Sequence, residues 1–333
     1  MKSISLLCVA AILGLAPVCQ AQSWSLEYGT EEGKVAYFNS KNTPDFAEDA
    51  PYGPLAFRVY GDKLWVLDSI AGKLTQFDNA GKALKTIVVP GLEGFKLLED
   101  FALDGDDPNN PDAVWIANAA DVLVRKISVA DGKVLYQLEG NGTEEGKFGQ
   151  IHQLETDAGG RVYVADIAKN KIFVFSATGT FQREYIWQNS GLFVDKHANL
   201  HQLYYTEKSG YSHQVFSSKG QLISNTHLGF NKNTNAKIIN VEDNGSIIMS
   251  MVPEEGFKGV LNIVKVNKFG YALETAEFIL PSSMNRYIDV NEGRLFVAEA
   301  DFETAPDTKF FVKPQKWAEK KAPAANNEGA KNE

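Results

Sequence analysis

The chain predicts an all-β fold made of six repeats of four short antiparallel strands, and three observations predict it. Segments with helical periodicity are nearly absent, and short β-branched and aromatic runs closed by Gly, Asn and Asp turns take their place. The strongest runs recur. KLWVLD ends at Asp68, AVWIAN at Asn118, RVYVAD at Asp166, QLYYTE at Glu207, SIIMSM at Met251 and RLFVAE at Glu299, at spacings of 50, 48, 41, 44 and 48 residues. Finally, the hexapeptide GTEEGK occurs at 29–34 and again at 142–147, each copy preceded at short range by Leu-Glu. Repetition at long range decides the architecture before any single element does.

Each strong run has an apolar stretch before it, the inner strand of its repeat. The inner strands are expected to start at Leu55, Asp100, His152, Leu192, Lys237 and Asn285. After each run, with one weaker case, comes a third strand and a glycine turn: KLTQFDNAGK, LVRKISVADGK, KIFVFSATGT, HQVFSSKGQ and LNIVKVNKFG. An outer strand follows that turn, as in KVLYQLEG at 133–140. A period in the forties built from short antiparallel strands reads as the blades of a β-propeller. Six copies imply six blades. The sixth has only KFFVK after its strong run and lacks an outer strand, whereas SWSLEYG precedes the first blade with no blade of its own. Residues 22–28 should therefore complete the last blade, because closure removes the open edges that invite association. The repeated phrase then falls between an outer strand and the next inner strand. It is a connector, and its glycines permit the positive φ such a turn needs.

The ends bound the domain. Residues 1–21 read as a secretory signal peptide: Lys2, an apolar segment over 4–15, and small residues before a cleavage point after Ala21. The alternative is a lipoprotein acylated at Cys19. The propeller occupies 22–313, and 314–333, rich in Lys, Ala, Asn and Pro, reads as a disordered tail. No other stretch is apolar enough for a membrane span, so a periplasmic or secreted monomer is expected. Cys8 and Cys19 are the chain's two cysteines and both leave with the leader, so no disulfide, thiol nucleophile or thiolate ligand remains. With 42 acidic against 33 basic residues the surface is acidic, which argues against nucleic acid and anionic membranes as partners.

One family carries this pattern. Gly140, Gly142, Gly146 and Phe148, followed by an inner strand and then by GGRVYVADIAKNKIFVFSATG, resemble an NHL repeat. The likeness is strongest over 140–179, fair over 54–82 and weaker in the other four blades, together covering about 28–313. The resemblance implies a six-bladed propeller. Met251 stands where that family has Asp, and the second blade carries an inserted acidic loop.

Asp68, Asn118, Asp166, Glu207 and Glu299 share one position, where turn capping explains the residue type better than a ring of cation ligands does. The loop LDGDDPNNPDAV at 103–114 gathers Asp104, Asp106, Asp107 and Asp112, but Pro108 and the missing terminal Glu break the EF-hand spacing. No cofactor is expected; calcium at this loop is the one ion the sequence offers. His197 and His201 sit in a hairpin turn around Ala198-Asn199 with no third ligand nearby, which argues against zinc. There is no nucleophile elbow, no His-Glu-x-x-His and no phosphate loop.

The expected function is a non-enzymatic binding scaffold for a protein, peptide or glycan. The candidate ligand-binding residues are His152, Asp100, Asn285, Glu144, Glu145, Glu254 and Glu255. The last four, with Asp45, Glu48, Asp49, Asp301 and Glu303, would give one face an acidic rim suited to a cationic partner. The alternative is a metal-dependent hydrolase or lyase of the six-bladed lactonase-like kind, with calcium or zinc at the channel mouth. Three of the six inner-strand starts are poor metal ligands, which favours the scaffold. A third reading is a structural envelope component tethered through its tail.

Overall fold

The computed structural model describes residues 22–42, 51–92, 96–105, 107, 110–230, 235–252, 259–281 and 283–318. Residues 1–21, Asp45, Glu48, Asp49, Asp106, Glu254, Glu255 and the residues from 319 onward lie outside them. The described residues form six four-stranded antiparallel sheets. Blade one is β2 Ala56–Tyr60, β3 Lys63–Asp68, β4 Lys73–Phe77 and β5 Ala83–Val88. Blade two is β6 Leu98–Asp104, β7 Ala113–Asn118, β8 Leu123–Ser128 and β9 Val134–Glu139. Blade three is β10 Ile151–Thr156, β11 Val162–Asp166, β12 Lys171–Phe175 and β13 Phe181–Ile186. Blade four is β14 Phe193–Val194, β15 Leu200–Thr206, β16 Gly210–Phe216 and β17 Leu222–His227. Blade five is β18 Lys237–Val241, β19 Ile247–Met251, β20 Val260–Val266 and β21 Ala272–Ile279. Blade six is β22 Ile288–Asn291, β23 Arg294–Glu299 and β24 Lys309–Gln315, completed by β1 Trp24–Glu27.

The second strands read as continuous apolar runs because both of their faces are buried. In β11 Val162 and Val164 pack toward blade two, while Tyr163 and Ala165 pack toward blade four. Among the described residues there are accordingly six core clusters, one between each pair of neighbouring blades, and each blade is a layer buried on two sides. The outer strand β13 keeps the alternation of half-buried sheet, every second residue being exposed, whereas β9 and β17 are exposed over most of their length.

The two termini meet as expected. β1 pairs antiparallel with β24, Trp24 opposite Val312 and Leu26 opposite Phe310. Trp24 is 1% exposed and donates its indole N–H to the Asp78 carbonyl of blade one at 2.8 Å. The strand β24 runs two residues past the boundary expected at 313. Trp317 then packs on the core between blades five and six, and the Ala318 N–H donates to the Thr275 carbonyl at 2.8 Å.

Both copies of the repeated phrase are connectors, and they are held alike. In each, the lysine N–H donates to the carbonyl of the first glutamate at 3.2 Å, Lys34 to Glu31 and Lys147 to Glu144. The fifth residue takes φ 77° at Gly33 and φ 79° at Gly146, which an L side chain rarely adopts. Two residues past each phrase an N–H is captured by the residue closing the second strand of the blade that follows. Ala36 donates to Asp68 at 2.8 Å, and Gly149 donates to Asp166. Asn118 does the same for Leu97 at 3.2 Å. Each of the three also caps its own turn, through Ala71, Ala120 and Lys169.

The shared capping role does not extend to Glu207 and Glu299. Both are exposed and hold no connector; Glu299 pairs with Lys313 instead. Their longer side chains stand off the turn. At Met251, which is buried among apolar residues, the pin is absent, and the N–H of Ala236 entering blade five is held by the Tyr211 hydroxyl at 3.3 Å.

Candidate ligand site at the channel mouth

The inner strands all run the same way through the ring, so their first residues gather on one face. There they enclose a cavity of about 570 Å³. Five of the six expected inner-strand starts line it: Leu55, Asp100, His152, Lys237 and Asn285. Leu192, the sixth, is buried in the core between blades three and four. Gly191 takes its place at the wall, with a Cβ position only 2.2 Å from the Ile238 carbonyl oxygen, so no larger residue fits.

The floor of the cavity is ionic and closed. The Arg286 guanidinium donates to both oxygens of Asp100 at 2.9 and 2.8 Å and to Glu155 at 2.9 Å. Arg58 donates to the other Glu155 oxygen at 3.0 Å and to the carbonyls of Phe101 and Leu154. Two cations and two carboxylates balance. Burial pushes the Asp100 carboxyl upward, but the adjacent Arg286 outweighs it and holds Asp100 below the usual carboxylate range. Asp289 lies beneath, where burial lifts its carboxyl to about 6 against the pull of Arg58 and the Val59 N–H. On the far side a second cavity of about 270 Å³ opens among Thr156, Asp157, Asp195 and Asn240.

The walls combine apolar and polar groups. Leu55, Leu97, Ile239 and Met284 supply apolar surface. His152 Nδ1 lies 3.7 Å from Glu99 Oε1, and the imidazole stands 6.1 Å from the Trp187 ring. Asn285 reaches across from blade six, donating to the Glu99 carbonyl of blade two at 3.0 Å and the His152 carbonyl of blade three at 2.5 Å. On the opposite wall Lys237 faces Ser250 in the ladder of blade five, and Tyr287 joins from blade six. Burial pushes the Lys237 ammonium down and the Tyr287 hydroxyl up to about 12, the latter partly offset by a hydrogen bond with Ser250.

The structure therefore brings three sequence candidates together, but it commits two of them. Asp100 is consumed by Arg286, and the Asn285 amide by two carbonyls, so both hold blades in register. Glu144 and Glu145 are exposed on the connector into blade three and do not line the cavity; Glu254 and Glu255 lie outside the described residues. Glu99, Ser250 and Tyr287 had no sequence signal, because only the ring geometry aims them inward.

The remaining candidates lie elsewhere. The acidic loop after β6 emerges on the opposite face, and Asp104 there pairs with Lys126 at 2.5 Å. His201 is buried, stacked on His213 with a 3.0 Å ring-nitrogen contact and 3.2 Å from Asp195, while His197 is exposed in the turn. Among the described residues no three His, Cys, Asp or Glu side chains are grouped so as to hold a metal ion. No helix among them is long and apolar enough to cross a membrane.

No family model matches the chain. Human NHL repeat-containing protein 3 is 25% identical over 146 residues, a stretch covering 39% of this chain and 40% of that protein, so less than half of the relative's length is spanned. Among solved structures, virginiamycin B lyase from Staphylococcus aureus superposes with a TM-score of 0.50 at 14% identity, covering 84% of this chain and 98% of that one. Hydrazine synthase of Kuenenia stuttgartiensis gives a TM-score of 0.50 at 12% identity over 76% of this chain and 75% of that one. At such identities the structural likeness establishes the fold alone. The blade pattern, the partial match and the six closed sheets together support one conclusion: this chain is a six-bladed β-propeller resembling the NHL-repeat proteins.

Proposed function

We propose that the protein is an exported, non-enzymatic binding module that seats part of a peptide, protein or glycan ligand in the mouth cavity. Export rests on the leader-like pattern of residues 1–21. The observation that carries the binding reading is the cavity itself. Its volume of about 570 Å³ lies in the range of small-ligand sites, and apolar side chains surround a few polar groups. The acidic rim of Glu144 and Glu145 would add steering for a cationic partner.

The test is a thermal-shift screen of short peptides and oligosaccharides against the parent protein and two blocked forms, Met284→Trp and Ile239→Phe. Ligands that bind only the native state raise the melting temperature by mass action. Hits on the parent that vanish in both blocked forms support the reading. Hits that persist in both would place binding elsewhere and overturn it.

The hydrolase or lyase reading has one observation in its favour, the pairing of His152 with Glu99 at the cavity wall, which suits general acid–base work. Turnover of an ester or lactone that disappears in His152→Ala would establish it in place of the scaffold.

A further inference from the structure

Lys237 opens β18 and lines the mouth cavity from blade five. The other two cations of the channel, Arg58 and Arg286, are neutralised by Asp100 and Glu155. Lys237 is not: among the described residues its ammonium meets no carboxylate and no hydrogen-bond acceptor. In a chain with 42 acidic residues, a half-buried ammonium with no partner among the described residues is a costly exception. Desolvation without a partner is what holds it below the ordinary lysine range. An incoming anion would recover that cost, because charge-assisted hydrogen bonds strengthen when solvent is excluded.

Two more donors share that wall. Ser250 is the ladder partner of Lys237, and the Tyr287 hydroxyl lies within reach of Ser250. An ammonium and a hydrogen-bonded alcohol–phenol pair thus line the same side of a cavity to which Leu55, Leu97, Ile239 and Met284 supply apolar surface. We infer that the ligand of the mouth cavity carries a carboxylate on an apolar body, and that Lys237, assisted by Ser250 and Tyr287, holds the carboxylate. This inference rests on the mouth cavity being the binding site.

The experiment uses four probes that share one apolar body and differ in head group: phenylbutyrate, phenylbutyramide, phenylbutanol and phenylbutylammonium. Their affinities are measured by calorimetry on the parent, Lys237→Met, Lys237→Arg and Met284→Trp. The parent should bind phenylbutyrate at least about tenfold more tightly than the amide, the scale of one charge-assisted contact. Lys237→Met should bring the acid down to the level of the amide and leave amide and alcohol unchanged, and Lys237→Arg should restore part of the preference. Met284→Trp should abolish binding of all four. Equal affinity of acid and amide in the parent would overturn the carboxylate inference while leaving the mouth as the site. So would a preference for the acid that survives Lys237→Met. Tightest binding of the ammonium probe would overturn it in favour of Glu99. Failure of every probe on the parent, with peptide or glycan hits still blocked by Met284→Trp, would likewise reject the carboxylate and keep the mouth.

Discussion

Asp166 accepts N–H groups from Gly149, Gln150 and Lys169, so one carboxylate fixes both its own turn and the connector entering its blade. Its truncation leaves partly buried donors without their acceptor, and Asp166→Ala should cost about 1 kcal/mol in urea unfolding. Glu299→Ala, at the equivalent repeat position but exposed, should shift the midpoint little. A second residue-scale effect is acid lability. Burial, reinforced by neighbouring His201, pushes His213 down to about 3, and burial lowers His201 despite the help of Asp195. Both are neutral in the fold and take up protons on unfolding. Their contribution is therefore complete above about pH 6.5 and is lost as pH falls, amounting to about 2 kcal/mol for His213 by pH 5. Asp289 acts in the opposite sense, since its raised carboxyl stabilises below the unfolded value and loses that contribution as pH rises through about 6. The measurement is the difference between parent and His213→Gln at pH 7 and pH 5: the parent should lose more stability on acidification. The capping role of Asp166 was legible from its repeat position. The His201–His213 contact was not, because it depends on the pairing of β15 with β16 rather than on spacing along the chain.

At the scale of elements, strand identity was legible almost throughout, since most second strands are apolar runs buried on both faces and the third strand ends at a glycine turn in the first five blades. The connectors were legible where the sequence repeats itself. Gly146 shows why the phrase is written with glycine: its φ is 79°, and an added Cβ would stand 3.0 Å from the Phe181 ring of the outer strand. Gly146→Val should therefore lose on the order of 1–3 kcal/mol from backbone strain alone, with further loss if Phe181 moves. Gly132→Val isolates the backbone term, because that turn has φ 70° and nothing within 4 Å of its Cβ position. A larger thermal destabilisation at Gly146 than at Gly132 is expected; equal losses would mean that Phe181 yields freely. The shortest strand among the described residues is β14, two residues long, in the blade whose inner strand was expected to start at Leu192. Its neighbour Gly191 approaches the backbone of Ile238 too closely for any side chain, a constraint that appears only when blades four and five are side by side.

At the scale of the molecule, the ring and the mouth depend on each other. The Leu55 carbonyl of blade one accepts the N–H groups of both Asn285 and Arg286 on the approach to blade six, at 2.9 and 3.0 Å. Those two residues complete the wall and the floor of the cavity. The closure was legible from an orphan strand at one end and a missing strand at the other. The cavity's polar chemistry was legible only in part, since residues from all six blades line it and no local pattern joins them. The whole architecture depends on closure of the ring by β1 against β24, and a designed disulfide probes that pairing. Ser25 and Phe311 are opposed in that ladder, and the native cysteines, Cys8 and Cys19, both precede residue 22. Opposed residues of an antiparallel pair fall within the Cα separation a disulfide requires. In protein beginning at residue 22, Ser25→Cys with Phe311→Cys should oxidise quantitatively in the folded state. The resulting long loop should stabilise the ring by roughly 4 kcal/mol or more, lost on reduction. Thiols that stay free in the folded protein under oxidising conditions would contradict the closure.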